Sequence, residues 1–532
     1  MSKVYRLGFD VGGTFTDGVL VKGNDIIAKT KTLNTDDVTT GIITAMERIL
    51  DESKIDPKEI LMISFGTTHT TNAIIERKNL NQVGIFRLAL PSATAVPPLI
   101  GWPEDLIDAI GGQKNVHMVK GGSEYDGRDI SPLDEDAIRE ACRKMKGSID
   151  SVAITGIFSP MIASHENRAH DIVREELGDE ISITLSNKIA SISLLERENS
   201  TILNAAVINV MRQAVGSIKK AIAGKGIEAP LYIVQNDGSI MLADYAVDYP
   251  IFTVASGPAA SVRGAVFLSG IEDGLVVDVG GTSTDVAYIV NGFPRESSIT
   301  VNIGGVVTNI RCPDLLSVAL GGGTIVKTKG REVLALGPES TGNNLVKLGR
   351  SFGGPLLTTH DIAVATGILS ENLSIFETSF ATHLDKINSV PKEVVDAAAA
   401  LIRETLETAM DQMKTTSEGV PAVFIGGGAM AVPSDNIKGT TKVVKPPHFE
   451  VGGAVGTTIA EICSYAEGVV DLELEERDAA MARVMEKAKE NLKNAGGIPE
   501  IAEVVDVEEI PFVYMTGKRE SIRIRVKSKA FV

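Results

Sequence analysis

The chain has 532 residues, of which 43% are apolar and 23% charged, a composition that excludes a fibrous or disordered polypeptide and a length that predicts two domains with a smaller third. Its net charge of −17 repels phosphate backbones and anionic lipid, which excludes a general nucleic-acid or membrane-surface binder, so any anionic ligand must be held locally. No run of eighteen apolar residues occurs, the opening MSKVYRLGFD has no signal-like segment, and Cys142, Cys312 and Cys463 lie too far apart for a disulfide framework or zinc spacing, which together predict a cytoplasmic protein.

The first elements read as a β-meander: a strand over Val4 to Val11, a glycine turn, a strand over Asp17 to Val21, the turn Lys22-Gly23-Asn24-Asp25, and a strand over Ile26 to Thr32. A helix carrying Ile42, Ile43, Met46, Ile49 and Leu50 at helical spacing follows, then an apolar strand over Ile60 to Phe65. Ser131-Pro132-Leu133-Asp134 predicts a helix start with a serine cap, and Cys142 shares that helix's apolar face with Ile138, Ala141 and Met145. Strands are expected over Val152 to Phe158 and Ile181 to Leu185, and a long apolar helix from Thr201 to about Ala223.

The meander then returns. A strand over Leu275 to Val279, a glycine turn, a strand over Asp285 to Val290, the turn Asn291-Gly292-Phe293-Pro294 and a strand over Glu296 to Val301 repeat the opening order. DVGGTFTD at Asp10 to Asp17 and DVGGTSTD at Asp278 to Asp285 sit at the same place in the two copies, so a whole domain is duplicated. A long helix after Pro391 leads into Ala422-Val423-Phe424-Ile425 and the turn Gly426-Gly427-Gly428. A charged helix over Leu472 to Lys493 and strand-like stretches at Phe512 to Met515 and Ile522 to Val526 form a small α+β appendix. The expected division is 1–195, 196–465 and 466–532.

Paired glycines let a backbone turn sharply and present successive NH groups to phosphate oxygens without a Cβ in the way. The candidate phosphate contacts are Gly12, Gly13, Thr14 and Thr16 in the first copy and Gly280, Gly281, Thr282 and Thr284 in the second. Asp10 and Asp278 end the first strand of each copy, where a carboxylate holds Mg²⁺ directly or through water. One such turn is most simply a tight hairpin. Two from a duplicated domain predict a cleft in which each grips one side of a nucleoside triphosphate. Neither GxxxxGK[ST] nor GxGxxG after a first strand occurs.

This arrangement resembles the actin, hexokinase and Hsp70 superfamily of ATPases, whose two RNase H-like domains each carry a phosphate loop. The resemblance implies an α/β chain of two such domains, with Phe424-Ile425-Gly426-Gly427-Gly428-Ala429 as the glycine turn beneath adenosine. Phe65 to Lys78 (FGTTHTTNAIIERK), Leu195-Glu196-Arg197, Thr201 to Ala205, Ser256-Gly257-Pro258-Ala259-Ala260 and Gly321-Gly322-Gly323-Thr324 are similar, in order, to blocks of the hydantoinase/oxoprolinase A-subunit family. Where that family has HGTT this chain has Phe65-Gly66-Thr67-Thr68, and its tail after the glycine turn is short.

The resemblance implies ATP and Mg²⁺ as cofactors, a small cyclic amide or imide as substrate, and a separate B-type subunit as partner. The implied reaction phosphorylates the carbonyl oxygen of the ring so that water opens it. The ATP-binding subunit of an acetone- or acetophenone-type carboxylase, and an ATP-driven switch with no small substrate, are the alternatives, and oligomeric state, a homo-oligomer included, is left open. Among other residues, His69 reads as a capping or buried group and Glu196 with Arg197 as a brace at the domain junction. Asp17 and Asp285 read as partners of the turn threonines or as turn caps, His165 and His170 as solvated, and Asp237-Gly238 as a turn at a strand end.

Overall fold

The computed structural model describes residues 4–12, 15–33, 38–190, 192–297, 300–369, 382–459, 461–512 and 517–530. Gly13 and Thr14 lie outside these, as does most of the stretch expected to be a strand at Phe512 to Met515.

The opening meander forms as expected, with β1 (Tyr5–Val11), β2 (Phe15–Lys22) and β3 (Asp25–Leu33) antiparallel. β4 (Ile60–Gly66) joins β1 in parallel across the helix Val38–Ser53. Alternation decides the packing. Leu7, Phe9 and Val11 of β1 and Leu20 of β2 point into a core shared with Ile42, Met46 and Ile49 of the helix. On the other face Gly8 has no side chain because the helix Gly452–Thr457 lies there; a Cβ would sit 2.3 Å from Thr457 Oγ1.

Between β4 and the rest of this sheet the chain makes a separate four-stranded parallel sheet. β5 (Val83–Leu90), β6 (Val116–Lys120), β7 (Ser151–Gly156) and β8 (Ser182–Leu185) stand in the order β6-β5-β7-β8. Its helix is Glu135–Met145, capped by Asp134, whose side chain accepts from the Ala137 NH. The cap expected at Ser131 is therefore displaced by one turn, and the Ser131 hydroxyl donates instead to the Leu90 carbonyl at 2.9 Å.

The long helix, Leu194–Gly224, starts about two turns before the expected Thr201. The chain then returns to the first sheet with β9 (Leu231–Val234) and β10 (Ile240–Leu242), giving the order β10-β9-β4-β1-β2-β3. Residues 231–242, which the sequence division placed in the second unit, thus belong to the first sheet. Hydrophobic pattern reveals that a segment is a strand, but not which distant strand it pairs with.

The second sheet repeats this plan. β11 (Gly274–Val279) pairs with β12 (Thr284–Val290), and β12 with the two-residue β13 (Phe293–Pro294). The strand Val420–Ile425 joins β11 in parallel, and Thr440–Val444 follows at the edge. The third strand expected over Glu296 to Val301 is replaced by β13. Val301–Ile303 belongs to a separate hairpin with Val306–Thr308, and Leu315–Val318 takes the remaining edge of β12. The helix after Pro391, Lys392–Met413, buries Val394, Ala398, Ile402, Leu406 and Met410 at helical spacing against this sheet.

Two helices join the halves. Ser256–Ser269 follows the first sheet and Gly452–Thr457 the second, and they cross at glycines. A Cβ on Gly264 would lie 1.9 Å from the Gly452 carbonyl oxygen, and one on Gly456 would lie 1.8 Å from that of Ala260. The appendix is a three-stranded sheet of Glu461–Asp471, Arg519–Lys529 and Glu503–Pro511 with the helix Arg477–Asn494 on it. Its Ile462, Val484, Leu492, Ile522 and Ile524 merge with the first core, so it is an extension of that unit. No helix among the described residues is long and apolar enough to cross a membrane.

Candidate active site at the paired turns

The described residues of the two DVGGTxTD segments share a closing hydrogen bond and a strand register. The Gly12 NH donates to the Phe15 carbonyl at 3.0 Å, and the Gly280 NH to that of Ser283 at 2.9 Å. Asp10 stands opposite Asp17 and Asp278 opposite Asp285 in the antiparallel registers. The turns are brought together by the crossing helices. Gly453 stands against Asp10, where a Cβ would meet Oδ2 at 2.1 Å, while Ser261 of the partner helix hydrogen-bonds to Asp278. Gly66 and Gly257 complete the narrow space around the Asp10 carboxylate.

Electrostatics reflects this convergence. Burial pushes the Asp10 carboxyl up to about 7, reinforced by the negative charges of Asp17 and Asp278, with Lys31 opposing. Asp278 is pushed up to about 6, chiefly by burial, while Ser261 and Lys31 pull it down and Asp285 and Asp17 push it up. Asp10 Oδ1 is closed off from solvent and accepts no hydrogen bond from the described residues. A buried carboxylate oxygen without a donor is suited to a cation, because a metal ion compensates its desolvation where no NH or OH does. No group of three or more His, Cys, Asp or Glu converges on one point among the described residues. The donor set therefore fits Mg²⁺, which takes one or two carboxylates and completes its shell with water and phosphate oxygens, and does not fit an all-protein cage.

Of the four candidate threonines, Thr282 is exposed at the turn, whereas Thr16 and Thr284 are fully buried. The Thr284 hydroxyl donates to the Leu320 carbonyl at 2.5 Å. Thr16 and Thr284 are thus structural, a correction to their expected place at the mouth of the turn. The cause is the period of a strand: the first residue after the turn already points into the sheet.

Gly426 (φ +86°) ends the strand beside β11 and packs on the back of the second turn. A Cβ there would lie 2.2 Å from Asp278 Oδ1, and one on Gly428 would lie 2.3 Å from the Gly280 carbonyl oxygen. Gly427 faces the first unit, its Cβ position 3.4 Å from Lys31 Cε. Lys31, which sequence reasoning missed, holds both oxygens of Asp17 and donates to the Glu450 carbonyl at 3.3 Å. Its positive charge lowers both the Asp10 and the Asp278 carboxyls against the effect of burial. Lysine on a predicted surface strand carries no signal of this kind.

The Gly321-Gly322-Gly323 segment was also missed as a part of the site. It lies on the second turn, with the Gly322 NH donating to Gly280 O at 3.1 Å and the Gly323 NH to Gly281 O at 2.7 Å. Its glycine triplet was the available clue. Asp17 pairs with Lys31, and Asp285 accepts from the Ser317 hydroxyl, partners that the sequence did not indicate.

His69 opens the helix His69–Glu76 and contacts the Thr67 hydroxyl through Nδ1, while Thr67 is tied to Ser256 by two hydrogen bonds. Arg197 is buried and donates to Ser186 Oγ at 2.9 Å and the Gly156 carbonyl at 2.6 Å, bracing the long helix against the inserted sheet. His165 is not solvated: its Nδ1 accepts from the Gly122 NH at 2.9 Å, and Nε2 lies 3.4 Å from Asp129.

The hydantoinase/oxoprolinase N-terminal region model matches residues 6–177, and the hydantoinase/oxoprolinase model matches residues 197–465, half of the chain by itself. The chain belongs to the hydantoinase/oxoprolinase family. Relatives include an uncharacterised protein of Methanocaldococcus jannaschii, 25% identical over 95% of this chain and 80% of its own length. The caprolactamase alpha subunit of Pseudomonas jessenii is 28% identical over 69% of this chain, but over only 55% of its own length. The acetophenone carboxylase gamma subunit of Aromatoleum aromaticum is 25% identical over 87% of this chain and 69% of its own. Among solved structures, the ATP-dependent caprolactamase of P. jessenii superposes with a TM-score of 0.79 over 98% of this chain and 87% of its own, at 20% identity. A nucleotide-free acetone carboxylase superposes with a TM-score of 0.68 over 99% and 88%, at 19% identity. The chain therefore shares the mixed α/β fold of the caprolactamase and the acetone carboxylase along nearly its whole length.

Proposed function

We propose that this family member is an ATP-dependent hydrolase that phosphorylates the carbonyl oxygen of a cyclic amide or imide and so opens the ring. The observation that carries the reading is the approach of the two like strand ends, with the Asp278 charge helping to raise the buried Asp10 carboxyl and Lys31 bearing on both aspartates. Resonance makes an amide carbonyl a poor electrophile. Attack of its oxygen on the terminal phosphorus of ATP would release ADP and leave an O-phosphorylated imidate; water would add at its carbon, the ring C–N bond would break with a proton passing to the departing nitrogen, and a second water would hydrolyse the resulting acyl phosphate to carboxylate and phosphate. Mg²⁺ held by Asp10 and Asp278 would supply charge neutralisation at the polyphosphate.

This chain's own part is to grip and exclude. The backbone NH groups of the two turns and Thr282 would take phosphate oxygens, Gly426 to Gly428 would lie under the adenosine, and Lys31 would exchange part of its hold on Asp17 for the polyphosphate. Approach of the two units would keep water out until substrate is in place. The caprolactamase alpha subunit and the family model support the reading, and a B-type partner is proposed with it.

The ATP-binding subunit of a carboxylase is the second reading, favoured by the likeness to acetone carboxylase along nearly the whole chain and to the acetophenone carboxylase subunit. ATP turnover measured against a panel of lactams and hydantoins, and separately against bicarbonate with ketones, distinguishes them. Stimulation by a lactam with a ring-opened product supports the first; stimulation only by ketone with bicarbonate replaces it with the second. The proposed location is the cytoplasm.

A further inference from the structure

A cavity of about 160 Å³ opens where the inserted sheet, the first unit and the appendix meet, and none of its lining residues belongs to the paired turns. One wall is aromatic. Tyr245, Tyr249 and Phe252 follow one another with ring centroids 4.8 and 5.8 Å apart, and Tyr465 of the appendix also lines the space.

The charged groups of the lining divide into two sets. Arg311 and Arg525 are neutralised: Arg525 by Asp237 and Glu296, Arg311 by Glu296 and Glu508. Glu467 is likewise taken, by Arg523 and Ser521. Lys487, half-buried on the appendix helix, and Lys188, on the rim from the inserted unit, form no ion pair and no hydrogen bond among the described residues. Burial and the nearby positive charges of Lys188 and Arg483 hold the Lys487 ammonium below its ordinary range, against the pull of Glu467 and Glu490. The hydroxyls of Tyr245, Tyr249 and Tyr465 also make no hydrogen bond to the described protein, and burial keeps all three protonated and able to donate.

Two ammonium groups without an ion-pair partner among the described residues and three donor hydroxyls around an aromatic wall make a site that prefers an acceptor-rich anion with a flat apolar body. A free lysine half removed from water, beside a second of the same sign, is a cost that an entering carboxylate would offset. We propose that this cavity binds a small organic carboxylate with a planar apolar body, at a site separate from the paired turns. The inference does not depend on the reaction proposed for those turns.

The test is titration calorimetry of the full chain with phenylacetate and its neutral isostere phenylacetamide as probes, with and without a non-hydrolysable Mg·ATP analogue. The expected result is one molecule of phenylacetate bound per chain, at least tenfold tighter than the amide, undisturbed by the nucleotide analogue. Lys487→Met, which keeps the apolar stem, weakens the acid at least tenfold and leaves nucleotide affinity unchanged. Should that variant fail to fold, Lys188→Met at the exposed rim gives the same reading, with a threefold or greater loss expected. No uptake of the acid, equal affinity for acid and amide, displacement by the nucleotide analogue, or wild-type affinity in a folded lysine variant would each overturn the proposal.

Discussion

Replacing Asp10 by asparagine removes a charge that the metal-free fold holds at a cost. The carboxyl is raised from 3.8 to about 7 by burial and by Asp17 and Asp278. At about 1.4 kcal/mol per pH unit, this sets a ceiling of about 4 kcal/mol. The carboxylate is only partly enclosed by the turn, and relaxation and water at its mouth reduce the effect to about 1–2 kcal/mol. The sign follows from linkage. Below pH 4 the carboxyl is protonated in both folded and unfolded chains and costs nothing. Between pH 4 and 7 the unfolded chain loses the proton while the folded one keeps it, so stability falls as pH rises, and above 7 the full penalty remains. Asp10→Asn is therefore expected to melt about 1–2 °C higher than wild type at pH 8 without metal, by differential scanning fluorimetry, with the gap narrowing toward zero as pH falls to about 4. Millimolar Mg·ATP is expected to reverse the order at pH 8. A variant no more stable than wild type at pH 8, or a gap that does not close on acidification, would refute the reasoning.

Thr282 and Thr284 separate ligand contact from structure. Thr284→Val loses the hydrogen bond to Leu320 O and should cost about 1–2 kcal/mol in denaturant melts with unchanged nucleotide affinity, whereas Thr282→Ala should weaken nucleotide binding severalfold at unchanged stability. Lys31→Met leaves Asp17 without its cation and should destabilise by about 2–4 kcal/mol in urea unfolding. Gly264→Ala drives a methyl into the Gly452 carbonyl oxygen and must spread the two crossing helices; limited proteolysis and melting should show a loss of more than about 3 kcal/mol.

The sequence made the duplicated unit legible because its signals are local. The first meander, the strand pair that opens the second and the aspartates at their strand ends are set by residues within ten positions of one another, and these stand where the pattern placed them. What lay outside that reach was missed for a common reason. β9 pairs with β4 across more than a hundred intervening residues, Lys31 meets Asp17 across a strand pair, and the Gly321 to Gly323 segment meets Gly280 and Gly281 only in the folded chain. Thr16 and Thr284 were misplaced for a different cause. They share the turn's sequence but fall on the inward phase of the second strand, so chemistry suited to phosphate serves the core instead. Likewise, Asp134 and not Ser131 caps its helix, because Ser131 is already committed to the Leu90 carbonyl.

Titration calorimetry of ATP into the wild-type chain, with and without Mg²⁺, and into the Asp10→Asn and Asp278→Asn variants, tests the central claim most directly. One nucleotide bound per chain only in the presence of the metal, and affinity lowered at least tenfold by either substitution, is the predicted result. Absence of uptake by the wild type, or binding that neither the metal nor the two aspartates influence, would contradict the account.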